Sequence, residues 1–574
     1  MKIPKLFPFA CVALMMTACA SDKDEMGGGT RPGSDPQYLA VNIVNVGATP
    51  ATRATDDYEN GTTGESTITK VRFYFFNGDG SPYLIKNPGV TGVEGGGEKN
   101  WLEASPADDS STSGTPSQIE KITQTVLVIN GVQSAAPAAI VAVVNPGTVD
   151  ATKIQSGEKM RLSELRYSAV GSQFYKKDAT TGAVSDFVMS NSVYVNAGED
   201  VCASLVAGHV TTSEETARKK PVDLYVERVV AKVTADVDKT AFKLGNGTDW
   251  EVTKYGTKDP VGKSGDYDVY AVIDGWGLAN ENGKAEVEKQ VKKTWTDGNL
   301  GFSPWTTSDY HRCFWESSVG FDAGAGGNQP VNPKFNQLKA KMQDVLYTLP
   351  NTPDSKVTNL KDNDLTKFAV AATLRYKDAA GNWHDAEICR YNGVSILGID
   401  NLKRQVALTF SQYYTSTDAT NYTQLSKEDI DFKNPDGTMQ QYRVTPTLAN
   451  DPAGTKKYYT KTTTGTTPTF TEVDKATVLA AIEADKAEIR LGGRAYYYVP
   501  IKHLGGTGEL AEYGIVRNHF YKITLSGITG FGTPVYDPEK VVDPIVPTYE
   551  NTYLAARVQV LQWRVVNQNA SLGN

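Results

Sequence analysis

At 574 residues the chain exceeds what one hydrophobic core ordinarily organises, so two or three domains are expected. Hydrophobic residues at 40% and charged residues at 22% set it apart from disordered and membrane-embedded chains. The 58 basic and 66 acidic side chains leave a net charge of −8, which supplies no general field for nucleic acid or an anionic membrane surface.

The first element is an address. Lys2 and Lys5 precede an apolar run over 6–18, too short to span a membrane and suited to a secretory signal removed after export. It ends in Met16-Thr17-Ala18-Cys19, which resembles the lipobox of bacterial lipoproteins. There the cut falls before the cysteine, so Cys19 is expected to become lipidated. Met16 stands where Leu is commoner, and an ordinary signal peptide that also contains Cys11 is the alternative. The acidic stretch 21–25 (SDKDE) resembles the signal that exports Bacteroidetes lipoproteins to the outer face of the outer membrane, and the glycines 27–29 form a tether. Of five cysteines this leaves Cys202, Cys313 and Cys389. An odd three in so long a chain make no disulfide framework, and their spacing lacks the paired clusters of a zinc site.

Beyond the tether, runs rich in Val, Thr, Tyr and Ile recur between Gly, Asn and Asp clusters, and tyrosine (29) outnumbers phenylalanine (18). The fold expected is mainly β. The first strand, 38–46 (YLAVNIVNV), puts Leu39, Val41 and Ile43 on one face. Residues 71–76 run into the turn sequence Asn77-Gly78-Asp79-Gly80. Strands over 124–129 and 140–144 have the apolar character of strands buried on both faces. The polar stretch 207–220 places a domain boundary near Pro221. The strand 223–237 that follows changes parity near Val229, as a bulge would. Further strands are expected over 267–273, 365–376, 405–410, 496–499 and 519–525, with helices over 336–346 and 474–489. Many strands, few helices and no βαβ alternation point to antiparallel sandwiches.

Catalytic motifs are absent. The five histidines lack metal-ligand spacing, and no nucleophile elbow, Walker loop or dinucleotide fingerprint occurs. Asp362-Asn363-Asp364 lacks the Gly and Glu of a calcium loop. Neither an enzyme nor a cofactor is expected.

The two ends carry the strongest pattern. A Pro-rich connector over 534–547 is expected to be extended and poorly packed, so the strand 553–566 reads as an appendage. Leu554, Ala556, Val558 and Val560 share one face. Beyond them the parity shifts to Leu561, Trp563 and Val565, which implies a bulge or a second short strand. Tyr38-Leu39-Ala40-Val41-Asn42-Ile43 and Tyr553-Leu554-Ala555-Ala556-Arg557-Val558 both begin Tyr-Leu-Ala and continue in the same alternation, so both can fill one groove. Arg53-Ala54, in a polar stretch after the first strand, offers a place to cut.

These segments resemble the fimbrillins of Bacteroidales, most closely the shaft subunits of minor fimbriae (type V pili). The matching residues are the lipobox region, the strand ending at Arg53-Ala54, 140–146, 226–233 (VERVVAKV), 516–532 (VRNHFYKITLSGITGFG) and 558–565 (VQVLQWRV). The resemblance implies two tandem transthyretin-like, Greek-key β-sandwich domains. It implies a signal peptide 1–18, a lipidated propeptide 19–53, domains 54–221 and 222–532, and a linker with donor strand 533–574. By the same resemblance an Arg-specific protease is expected to cut after Arg53, the first strand to leave, and the C-terminal strand of an identical subunit to fill its groove, with tip and anchor subunits as further partners. Burying four apolar side chains there is worth on the order of 6 to 12 kcal/mol before entropic costs. The alternative is a tip adhesin or glycan-binding surface lipoprotein, for which Trp305, Trp315 and Trp383 are candidate sugar-stacking rings.

Overall fold

Alternating β-branched and aromatic side chains between turn residues give strands along the whole of the computed structural model. It describes residues between 37 and 568. The stretches 46–60, 87–92, 109–120, 238–248, 254–268, 292–314, 354–363, 504–511 and 545–552 lie outside the description, as do both termini and shorter breaks of one to three residues.

The N-terminal part contains β1 (Gln37–Asn45), α1 (Thr63–Ser66), β2 (Val71–Phe76), β3 (Trp101–Ala104), β4 (Lys121–Ile129), β5 (Ala139–Val144), β6 (Met189–Asn191), α2 (Glu214–Lys219) and β7 (Val222–Arg228). They form one sheet in the order β3–β2–β5–β6–β7–β1–β4, with short strands on its flanks. Every residue of β5 is buried, as its unbroken apolar run demands. Leu39, Val41 and Leu127 from one end of the sheet share a core with Phe73, Phe75 and Ile140 from the other.

The second part is a sandwich. One sheet holds β8 (Ala231–Val237), β10 (Val345–Thr348) and β14 (His519–Thr529). The other holds β9 (Val269–Ala279), β11 (Lys367–Lys377) and β13 (Arg494–Pro500). Val233, Tyr521, Ile523 and Leu525 from the first face Trp276, Phe368, Val370 and Tyr497 from the second. A third core, around Leu402, Val406, Ile430, Val478 and Ile482, belongs to an insertion between β11 and β13. The insertion begins at β12 (Ile388–Tyr391) and contains α3 (Ile399–Thr409) and α4 (Lys475–Glu483).

Four local expectations need correction. The parity change near Val229 is no bulge: β7 ends at Arg228 in the first sheet, and β8 starts at Ala231 in the second. Residues 405–410 are helical, because Leu402, Val406 and Ala407 together make one buried face and outweigh the β preference of Val406 and Thr409. Residues 336–346 are not a helix. They form a single 3-10 turn at Phe335–Gln337, and the chain then bridges to β9 at Ala340 opposite Trp276 and turns at 342–343 into β10. Gly275 permits this crossing, since a Cβ there would collide with the Leu338 carbonyl. The connector after β14 is packed as far as the description follows it. Thr533–Pro534 pairs with β13, Val535 and Val542 are buried, and Tyr536 donates its hydroxyl to the Phe432 carbonyl.

The joint between the two parts is built from buried charge. Lys232 Nζ lies 2.9 Å from Glu65 Oε1, with both side chains buried, and the Tyr347 hydroxyl donates to the same oxygen at 2.5 Å. Arg228 donates to the Glu65 carbonyl and to Asn518 Oδ1, and the Asn518 amide donates to the Val230 carbonyl. Lys289 pairs with Glu227 at 3.0 Å, and Arg517 with Glu316 at 2.8 Å. Burial opposes ionisation of Glu65, but Lys232, the Tyr347 hydroxyl and the Thr62 amide outweigh it and hold the carboxyl below its ordinary range. Removing one member of such a pair leaves an uncompensated buried charge. Glu65→Gln is therefore expected to lose about 3 kcal/mol near pH 7 in urea denaturation. The wild-type advantage should be complete above the ordinary carboxylate pKa and disappear as acid protonates the folded Glu65. An unchanged midpoint at both pH values would contradict this assignment.

Candidate functional site

The site is a strand position. β1 pairs antiparallel with β4 along its whole length, from Gln37 opposite Ile129 to Asn45 opposite Lys121. On its other edge it pairs parallel with β7, from Val41 opposite Val222 to Asn45 opposite Val226. It is thus an interior strand, although it is the N-terminal described element of the chain. Leu39, Ala40 and Val41 are fully buried, so both faces are covered at its centre.

One cover is the core, where Leu39 lies in register with Leu127 and both join the cluster with Val222 and Leu224. A further contact comes from the segment over 209–220, part of the polar stretch expected to mark a domain boundary. Tyr38 and Thr211 exchange backbone hydrogen bonds at 2.7 and 2.9 Å, and α2 lies against β1 with Ala217 buried. Its signal was legible: Ser213 caps the helix by accepting from the Thr216 amide, and Glu214–Arg218 and Glu215–Lys219 are i,i+4 pairs. Release of β1 must break both ladders and the Tyr38–Thr211 link.

At the other end of the chain are β15 (Tyr553–Gln562) and β16 (Val565–Gln568). Contrary to the appendage expected, β15 pairs antiparallel with β14 over its whole length. Leu554, Ala556, Val558 and Val560 stand opposite Ile528, Leu525, Ile523 and Tyr521, all four of which belong to the second core. A register shift between Leu525 and Gly527 preserves that matching. The parity change at Leu561 corresponds to a second short strand, since β16 turns back antiparallel on β15 with Leu561 opposite Val565.

The named positions therefore fall into three groups. Leu39 and Val41 are buried core residues of β1, and Ile43 occupies the register position opposite Leu224 and Thr123. Leu554, Ala556, Val558, Val560, Leu561 and Val565 are strand positions on the second domain. Cys19, Arg53, Ala54 and Trp563 lie outside the described residues, as do Cys202, Cys313 and Trp305. Trp315 is fully buried, so it offers no ring to a sugar. Trp383 is half-buried, with Lys377 Nζ 4.6 Å from its ring centre. Cys389 is buried, and burial drives its thiol well above the ordinary range. Among the described residues no group of three or more His, Cys, Asp or Glu side chains could hold a metal ion, and no helix is long and apolar enough to cross a membrane.

Residues 491–569, from the start of β13's approach through β16, match the family described as "Major fimbrial subunit protein type IV, Fimbrillin, C-terminal". That segment is similar to the C-terminal part of major fimbrial subunit proteins. No curated protein matches the chain in sequence. Among solved structures it is similar to a "putative cell adhesion protein" from Parabacteroides distasonis, at 12% identity over 94% of this chain and 99% of that one, with a TM-score of 0.36. It is also similar to one so described from Bacteroides eggerthii, at 11% identity, 94% and 98% coverage and a TM-score of 0.34. The tip fimbrial protein Mfa3 from Porphyromonas gingivalis, with C-terminal truncation, is similar at 10% identity, 92% and 100% coverage and a TM-score of 0.29.

Because β15 covers one edge of β14 while β8 covers the other, deleting 553–574 should raise hydrogen exchange at alternate β14 amides and leave those bonded to β8 protected. Unchanged protection across β14 would show that β15 does not dock there in solution.

Proposed function

We propose that this chain is a fimbrial shaft subunit that polymerises by donor-strand exchange. In this reading residues 1–18 are a signal peptide, Cys19 carries lipid, and 19–53 form a propeptide anchored in the outer membrane. The domains are 54–221 and 222–532, each of transthyretin-like topology, followed by the linker and donor strand 533–574. An Arg-specific protease cuts between Arg53 and Ala54, β1 leaves with the propeptide, and Leu554, Ala556, Val558, Val560, Leu561, Trp563 and Val565 of an identical subunit enter the vacated slot. The product is an extracellular fimbrium that supports adhesion, completed by tip and anchor subunits. The role is structural rather than enzymatic.

The observation that carries this reading is that β1 is an interior strand hydrogen-bonded on both edges, followed at once by the region of Arg53. Its removal would open a slot one strand wide, about 10 Å between β4 and β7. Two unpaired ladders and the positions of Leu39 and Val41 would then be exposed, a surface that only another β-strand satisfies. The strand 553–562 repeats the Tyr-Leu-Ala pattern and alternation of β1, so Leu554 can take the place of Leu39.

A second reading, a tip subunit, has one observation in its favour: β15 lies on its own subunit's β14 rather than free for a neighbour. For the shaft reading that docking is a resting state from which β15 must peel.

Treating purified precursor with an Arg-specific protease is expected to give a ladder of SDS-resistant, heat-labile oligomers. The double substitution Leu39→Cys and Leu127→Cys, which ties β1 to β4 across a register pair, should leave the cut protein monomeric until reductant is added. Cut wild-type protein that remains monomeric but caps fibres of other subunits would favour the tip position and refute the shaft.

A further inference from the structure

β1 has two faces, and the first core accounts for one of them. Leu39 and Val41 join that core with Leu127 and Ile129 of β4 and Leu224 of β7. Ala40 alternates to the opposite face, outside that core, yet it is fully buried, and Val128, opposite Tyr38 on β4, is buried as well. This far face is not closed along its whole length: Asp223, opposite Asn42 on β7, is exposed. The element lying against both β1 and β4 is α2, whose one buried side chain is Ala217. An alanine on the strand and an alanine on the helix leave room there for the close approach of the two backbones and for nothing larger.

α2 does not depend on β1 for its place. Upstream, Val206 belongs to the first core and donates its amide to the Ala138 carbonyl; downstream, Val222 opens β7. Between these anchors Thr211 takes up the Tyr38 edge of β1, which β7, pairing only from Val41 onward, does not reach. All of these residues follow Arg53 in the chain, so Thr211, α2 and Asp223 stay with a subunit that has lost β1. A strand entering the slot therefore meets three fixed features in order: a backbone partner at Thr211, a low cover at Ala217 and a carboxylate at Asp223. The strand 553–562 matches each of them. With Leu554 in the place of Leu39, Tyr553 meets Thr211, Ala555 comes beneath the helix, and Arg557 stands beside Asp223, where β1 itself has Asn42. A slip of two residues, the smallest that keeps the apolar face inward, would put Tyr553 or Arg557 under the helix, where neither fits.

We propose that α2 and Asp223 select the incoming strand of a second copy and set its register, with Ala555 seated beneath Ala217 and Arg557 paired with Asp223. Selection of this kind presupposes the strand exchange proposed above, and it names the residues by which the slot tells one strand from another. The core face alone discriminates weakly, because Leu39 and Val41 could be replaced by the apolar alternation of many strands. Discrimination falls to the far face, where space is short and one charge is fixed. The Tyr-Leu-Ala opening shared by 38–40 and 553–555 thereby has a physical cause: both strands must pass under the same helix.

The test is the rate at which SDS-resistant oligomers grow after the full-length precursor is cut with an Arg-specific protease. Ala555→Val is expected to slow growth about tenfold, as overfilling a closed space would, and Ala217→Gly in the same chain to restore it. Arg557→Glu is expected to slow growth about threefold, and Asp223→Lys in the same chain to restore it. Rescue is the decisive readout. In the resting arrangement Ala555 and Arg557 stand opposite Gly527 and Thr524, so a substitution there can also act through docking on β14, which changes at Ala217 or Asp223 in the other domain do not repair. Each variant should keep the circular dichroism of the wild type and be cut at the same rate. Asp223 is exposed, so the charge-exchanged pair still decides the matter should glycine unsettle α2. Growth of the cut wild type with harmless single substitutions, or with paired substitutions that fail to rescue, would overturn the selection and leave strand exchange standing. Cut wild type that stays monomeric would overturn strand exchange itself, and the selection with it.

Discussion

An interior β-strand satisfies two ladders of backbone groups at once, and that constraint organises the first domain. β1 is held between β4 and β7, with Leu39, Ala40 and Val41 fully buried. A slot of that kind cannot stay empty cheaply, because its exposed N–H and C=O groups and apolar floor would both face water. Nor can it be filled by a helix or loop, since only extended backbone matches both edges. Whatever vacates the slot must be replaced by a strand of similar alternation, and 553–562 is the stretch in this chain that repeats the opening pattern of β1.

The joint between the domains lies close to this slot in the chain and in space. β7 contacts β1 through Val222–Val226 and then supplies Glu227 and Arg228 to the buried ion network. Glu65, the partner of Lys232, lies twelve residues beyond Arg53 and so remains in any product cut there. The cut chain would keep its interdomain lock while losing its first strand. The second domain needs no strand exchange to complete its own core, which draws on β8, β9, β11, β13 and β14.

Strands with a strong period were legible in the sequence: the fully apolar 140–144, the alternating 38–46 and the aromatic 71–76 all occur as strands, and the mainly β class follows from them. The second short strand after Leu561 was foreshadowed by its parity change. What could not be read was which sheet a strand joins. The run over 223–237 looks like one strand with an irregularity, because sheet membership is set by long-range partners that local alternation does not encode. Residues 336–346 carry a helical stripe, yet the contact with Gly275 on a distant strand decides their path. The docking of 553–562 on β14 is likewise a tertiary outcome, since an alternating face fits its own subunit's edge as well as a neighbour's groove.

The central claim is that the position of Leu39 in one subunit becomes that of Leu554 from another. Two isotopically distinct preparations, one carrying Leu127→Cys and the other Leu554→Cys, can be cut after Arg53, mixed and oxidised, and the linked peptides read by mass spectrometry. The account predicts a disulfide joining the two preparations at these positions, absent from uncut protein. Fibres that form without that cross-link, or with β15 still paired to its own β14, would contradict it.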